Sequence, residues 1–120
     1  MNSLLLDLGT TGVGWYVYIL KASDERLYTG ITMDMTRRWK EHSGSDQENS
    51  KSSGKGAKFF RGRRPQSLLF LIESLSRSTA SKEEIAIKSL SRKDKLALID
   101  SSTNKLSSFP EISRSCGTVL

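Results

Sequence analysis

The stretches Trp15-Tyr16-Val17-Tyr18-Ile19-Leu20 and Leu27-Tyr28-Thr29-Gly30-Ile31-Thr32 are two aromatic and β-branched runs separated by the polar Lys21-Ala22-Ser23-Asp24-Glu25-Arg26. Such side chains pack well on a pleated surface, and a short polar segment turns the chain, so the pattern predicts a β-hairpin. Alternation along the first strand sets Tyr16, Tyr18 and Leu20 on one face and Val17 and Ile19 on the other. Tyr18 and Tyr28 then reach a common edge if the register permits.

After the hairpin, Thr32 or Asp34 caps a helix in which Met35, Arg38, Trp39 and His42 recur at three- and four-residue intervals. Arg38 and His42 share a face of that helix, separated by one turn, roughly 6 Å of rise. The helix stops at Ser43-Gly44, and residues 43–56 read as a polar loop. The apolar run Leu68-Leu69-Phe70-Leu71-Ile72 predicts a strand buried on both faces. Ser78 or Thr79 opens a helix running to Leu90, with Ile85, Ile87 and Leu90 available for packing. Ser91-Arg92-Lys93-Asp94 starts a further helix whose buried stripe is Leu96, Leu98 and Ile99. The expected order is β-β-α-β-α-α, an α+β domain with a small three-stranded antiparallel or mixed sheet flanked by helices. Residues 1–14 form a flexible lead, 15–101 the domain, and 102–120 a Ser-rich mobile tail in which Phe109-Pro110-Glu111-Ile112 docks locally at most.

At 120 residues the chain has room for one compact domain. The net charge of +6 favours an anionic partner, since a cationic surface gains free energy by displacing counterions from a polyphosphate. Cys116 is the one cysteine, which excludes an intramolecular disulfide or a cysteine-based metal cluster. Leu4-Leu5-Leu6 is too short to span a bilayer and lacks the basic flank of a secretory signal, so a cytoplasmic protein without a membrane partner is expected.

The candidate chemistry lies in a few residues, each with a structural reading beside the functional one. Tyr18 and Tyr28 are at home in strands with their hydroxyls at the rim, yet a phenol near cations can orient or deprotonate water. Arg38 forms either a surface ion pair or a bidentate clamp on phosphate. His42, the one histidine, either satisfies a helix end or donates to phosphate and shuttles a proton. Glu84 closes a Ser81-Lys82-Glu83-Glu84 capping box or, if the helix starts near Thr79, presents its carboxylate to a hard divalent ion. Lys55, Lys58, Arg61, Arg63 and Arg64, interleaved with Phe59 and Phe60, form the densest basic cluster and suit a nucleic-acid backbone.

Residues 15–101 resemble a GIY-YIG nuclease domain, in particular the small single-domain bacterial members of that superfamily. The resemblance rests on Tyr16-Val17-Tyr18-Ile19-Leu20, Leu27-Tyr28-Thr29-Gly30-Ile31-Thr32, Arg37-Arg38-Trp39-Lys40-Glu41-His42, Ser53-Gly54-Lys55-Gly56-Ala57-Lys58 with Arg61-Gly62-Arg63-Arg64-Pro65, and Glu84 with Ile87-Lys88-Ser89-Leu90-Ser91. Tyr16 stands where the family name has its first glycine, and Tyr18 keeps the chemical position. The resemblance implies hydrolysis of DNA, with one Mg²⁺ or Mn²⁺ held by Glu84, and Tyr18, Tyr28, Arg38 and His42 around the scissile phosphate. Gly30 enters as a turn residue. Branched, nicked or single-stranded DNA is the implied partner, with a homodimer or a partner protein compatible. Two other classes fit the same residues: a nucleic-acid-binding module without turnover, and a basic protein-interaction domain.

Overall fold

The computed structural model describes residues 14–43, 60 and 62–117. The expected lead before residue 14, the loop from Gly44, and Lys55, Lys58 and Arg61 lie outside the described residues. Strands β1 (Trp15–Ala22), β2 (Leu27–Thr32) and β3 (Pro65–Ser74) form an antiparallel sheet in the order β2-β1-β3. Helix α1 (Met35–Ser43) follows β2, and α2 (Arg77–Lys88) and α3 (Arg92–Ile99) follow β3. A 3₁₀ turn at Leu106–Ser108 and a short helix α4 (Pro110–Ser115) complete the described chain. The α+β class and the β-β-α-β-α-α order of the first six elements follow the sequence expectation.

Alternation along the central strand divides the core in two. Tyr18, Leu20 and Ala22 pack with Met35, Leu68, Leu71 and Cys116 on the side of α1 and α4. Val17 and Ile19 pack with Phe70, Ala80 and Ile87 on the side of α2 and α3. Completely buried side chains of this size contribute on the order of 1.5–3 kcal/mol each, so the two clusters fix the register of β1. Ile87 turns inward whereas Ile85 is 66% exposed, because positions two apart on a helix point to different sides. For the same reason Leu96 is 40% exposed while Leu98 and Ile99 pack, correcting the expected stripes. Ser76, rather than Ser78 or Thr79, caps α2, its hydroxyl accepting the Thr79 N–H at 3.1 Å. Ser91 caps α3 as expected, accepting from the Asp94 N–H.

The expectation of a mobile segment from residue 102 gives way to a packed one. Leu106, Phe109, Ile112 and Cys116 recur at intervals of three and four, and all four join the α1-side core. The intervening serines lower the mean hydropathy and conceal that period. Asn104 seals the edge of β3: its Oδ1 accepts from the Leu71 and Leu106 N–H groups, and its Nδ2 donates to the Leu69 and Ile99 carbonyls. An open strand edge is thereby covered, and a run with apolar residues on both faces sits at the sheet margin. Asn104→Ala is expected to cost about 2–3 kcal/mol, since it leaves part-buried backbone groups unpaired. Urea denaturation measures it.

Candidate active site

The start of α1 is set by two local bonds. Thr32 Oγ1 accepts the Asp34 N–H at 3.1 Å, and Asp34 Oδ1 accepts the Arg37 N–H at 3.1 Å, so Asp34 is the cap. From there the helical period turns Met35 and His42 into the core and leaves Arg38 half-buried. His42 Nε2 lies 2.9 Å from Tyr18 Oη in a buried hydrogen bond whose direction follows the imidazole tautomer.

Register explains how the Tyr18 phenol reaches that point. Tyr18 pairs across the hairpin with Gly30. A Cβ on Gly30 would sit on Tyr18 Oη and 2.7 Å from its Cζ. Gly30 is therefore not the turn residue expected from the sequence; it lies inside β2 and clears the path of the phenol. Tyr28, half-buried, sets its ring 6.2 Å from Tyr18 and 5.4 Å from His42, the latter edge-on. Phe60 closes the cluster at 5.2 Å from Tyr28 and 4.4 Å from His42. It is buried in this aromatic group, so this aromatic of the basic run is part of the wall behind the site.

The electrostatics follow from burial and one cation. Burial pushes the Tyr18 phenol well above its ordinary 10.0, Tyr28 and Glu84 add to the rise, and the Arg38 hydrogen bond and charge oppose it. Burial pulls His42 from 6.5 down to about 3, with the Arg38 charge acting in the same direction. Both groups are neutral at physiological pH. Arg38 loses from burial but gains more from Glu41 and Tyr18, so its pKa is raised and it stays charged. Glu41 receives both Arg38 at 2.8 Å and Arg37 at 3.4 Å. The Arg37 pair is expected from i,i+4 spacing; Glu41 as the Arg38 partner is a feature that sequence reading missed, although its i,i+3 spacing signals it.

A depressed histidine pKa carries a stability consequence. The unfolded chain binds a proton at His42 below 6.5, whereas the folded state does so only near 3, so stability is lost as pH falls through that window. His42→Gln is expected to lose this contribution to the acid sensitivity, which melting curves taken between pH 7 and pH 4 would display.

Glu84 lies in the middle of α2, seven residues beyond its start at Arg77, and this geometry rules out the Ser81 capping box. Its carboxylate is 3.1 Å from Lys88 Nζ, is largely shielded from solvent, and is near enough to Tyr18 to raise that phenol's pKa. Among the described residues no group of three or more His, Cys, Asp or Glu gathers as a metal cage. Glu84 presents a single carboxylate, a donor suited to a hard divalent ion completed by water rather than to a zinc-type site with three or four protein ligands. Tyr18, Tyr28, Arg38 and His42 are thus brought together, with Glu84 within electrostatic reach. Of the basic cluster, Arg63 is bound to Asp24 at 2.7 Å, holding that carboxyl below its ordinary range, and Arg64 is exposed. The Arg64 backbone is tied to Ser23.

The model of the GIY-YIG catalytic domain matches residues 14–97. A UPF0213 protein of Desulfotalea psychrophila is 43% identical over 101 residues, covering 82% of this chain and 84% of its own. Another from Oceanobacillus iheyensis is 41% identical over 85 residues, covering 71% and 88%. The solution NMR structure of a UPF0213 protein from Bacillus halodurans shares 34% identity over 90% of this chain and 100% of its own, with a TM-score of 0.45. With the family model spanning most of the 120 residues, a range that includes Tyr18, Tyr28, Arg38 and Glu84, the chain belongs to the GIY-YIG catalytic-domain family, a family of nucleases.

Proposed function

We propose that this protein is a metal-dependent DNA endonuclease that hydrolyses phosphodiester bonds by water attack, directed by DNA structure or only weakly specific for sequence. The observation that carries this reading is the convergence of Tyr18, Tyr28, Arg38 and His42 on one cluster that also feels the Glu84 carboxylate. Glu84 would hold one Mg²⁺ or Mn²⁺ ion, with Lys88 Nζ leaving the carboxylate when the site is loaded. The chemistry such an ion supplies when bound is neutralisation of charge on phosphoryl and leaving-group oxygens.

The chain's own residues do the rest. Tyr18 enters the reaction as a neutral phenol, so its Oη accepts a water proton only as its own proton passes to His42 Nε2. That step needs the tautomer with Nε2 unprotonated. A phosphate bound at Arg38 offsets the charge that helps depress His42, and so DNA binding itself makes the imidazole a better acceptor. Tyr28 orients the water, and Arg38 stabilises charge on the equatorial oxygens as the phosphorus–leaving-oxygen bond breaks. Bonding of Arg38 to Glu41 holds the guanidinium in place beforehand.

Branched, nicked or single-stranded DNA is the proposed partner, with Lys55, Lys58, Arg61 and Arg64 following the backbone, and any homodimer or partner protein completing a larger assembly. Cytoplasmic location accompanies this reading. No described helix is long and apolar enough to cross a membrane. A backbone contact by Arg64 implies that Arg64→Ala flattens the slope of log affinity against log salt by about 0.7–0.9, to a similar extent for unrelated sequences. Binding titrations between low and moderate salt measure this. The Glu84–Lys88 pair also favours a second reading, a DNA-binding module of the same fold with no turnover. Incubation with nicked, flapped, branched and linear DNA, with and without Mg²⁺ or Mn²⁺, separates the two: the nuclease reading expects products in the presence of metal alone.

A further inference from the structure

Beside the tyrosine cluster, where the ends of β1 and β2 meet the first turns of α1, the surface opens into a groove of about 330 Å³. Trp15, Ile31 and Met33 give it apolar walls, and Arg37, Arg38 and Glu41 line its polar side. Met33 is 50% exposed there, a thioether side chain standing in water. The Trp15 indole is held in place by the Arg77 guanidinium, 5.8 Å from its ring centroid. Arg38 belongs to both places, since the guanidinium that lines the groove also hydrogen-bonds Tyr18.

Charge indicates what the groove would take. The positive charges of Arg37 and Arg38 are matched by Glu41, which pairs with both, and by Asp34, which also lines the groove. The lining residues therefore add no net charge to draw a second phosphate, Arg77 standing over the indole rather than in the lining. A neutral, flat, polarisable group finds an indole, a thioether and a guanidinium, the surfaces on which nucleobases stack. Bases in an intact duplex are already stacked and cannot enter.

We propose that this groove receives an unpaired nucleobase of the strand whose phosphate lies at Arg38, so that the site selects DNA with single-stranded nucleotides beside the scissile bond. The inference rests on the nuclease reading above and names its substrate class. The two share Arg38, which would grip the phosphate from one side while the adjoining base settles on Trp15 and Met33.

The test uses the full chain carrying Glu84→Gln to prevent cleavage and Trp39→Phe to leave Trp15 as the sole tryptophan of the two. A flapped DNA and a fully paired duplex of equal length are titrated, binding being followed by anisotropy of the labelled DNA and groove occupancy by Trp15 emission. Flapped DNA is expected to quench Trp15, and duplex to bind without quenching. Met33→Ala, a change at a half-exposed side chain, is expected to weaken flapped-DNA binding about fivefold or more and to leave duplex binding unchanged. Unchanged Trp15 emission on binding flapped DNA, equal quenching by duplex, or an equal or absent effect of Met33→Ala on both DNAs overturns the proposal, as does failure of the flapped DNA to bind. Cleavage by the wild-type protein without quenching removes the groove alone. Selective quenching without cleavage by the wild type removes the nuclease reading and leaves the groove standing.

Discussion

Glu84→Gln is expected to lower single-turnover cleavage by on the order of 10³-fold while leaving the fold intact. Two magnitudes set this outcome. Losing the charge of a ligand that holds a divalent ion at a phosphoryl centre removes several kcal/mol of transition-state stabilisation, and every 1.36 kcal/mol is tenfold in rate. What the substitution removes from the folded state is the partly exposed Glu84–Lys88 i,i+4 pair, a contact of about 0.3–0.5 kcal/mol. Cleavage and thermal melting should therefore separate widely. A lowered melting temperature with unchanged turnover would assign Glu84 to helix stability alone.

Arg38→Ala is expected to lower turnover by about 10²–10³-fold with a much smaller loss of DNA affinity. Charge stabilisation at the forming phosphorane acts on the transition state, and other cations still hold the ground-state backbone. The structure adds a second readout. Because Arg38 helps depress His42, its removal should raise the His42 pKa above about 3, while burial, the larger cause, keeps it below 6.5. Single-turnover rates, binding curves and the histidine ring resonances followed through an acid titration examine these outcomes together. Equal losses of rate and affinity with an unmoved His42 would reduce Arg38 to an ordinary backbone contact.

Much of this arrangement is legible in the chain because it follows short-range periodicity. Strand alternation assigns Tyr18 and Val17 to opposite faces, and helical spacing brings Arg38 and His42 to the same side of α1. What is hidden depends on partners distant in sequence. Nothing local says that Gly30 stands opposite Tyr18 and must lack a side chain, since only the hairpin register places them together. The Asn104 clamp is concealed by serine-rich surroundings, although the Leu106-Phe109-Ile112-Cys116 period around it is a usable signal. The start of α2 is ambiguous in Ser76-Arg77-Ser78-Thr79, where three hydroxyl side chains compete for the cap. The observed Ser76 cap puts Glu84 inside the helix and excludes the Ser81 capping box. Arg63 and Phe60 read as parts of one DNA-contacting run, yet Arg63 reaches back to Asp24 and Phe60 enters the aromatic cluster. A basic or aromatic composition does not reveal which side chains tertiary partners have already taken.

The most direct measurement is single-turnover cleavage of an end-labelled flapped DNA by the wild-type protein in Mg²⁺, run beside the same reaction in EDTA and beside Glu84→Gln in Mg²⁺. Discrete products are expected from the wild type in Mg²⁺, none in EDTA, and a rate on the order of 10³-fold lower for Glu84→Gln. Products of equal yield in EDTA, or from Glu84→Gln, would contradict the metal-dependent nuclease reading, as would an intact substrate in every reaction under conditions where the DNA is bound.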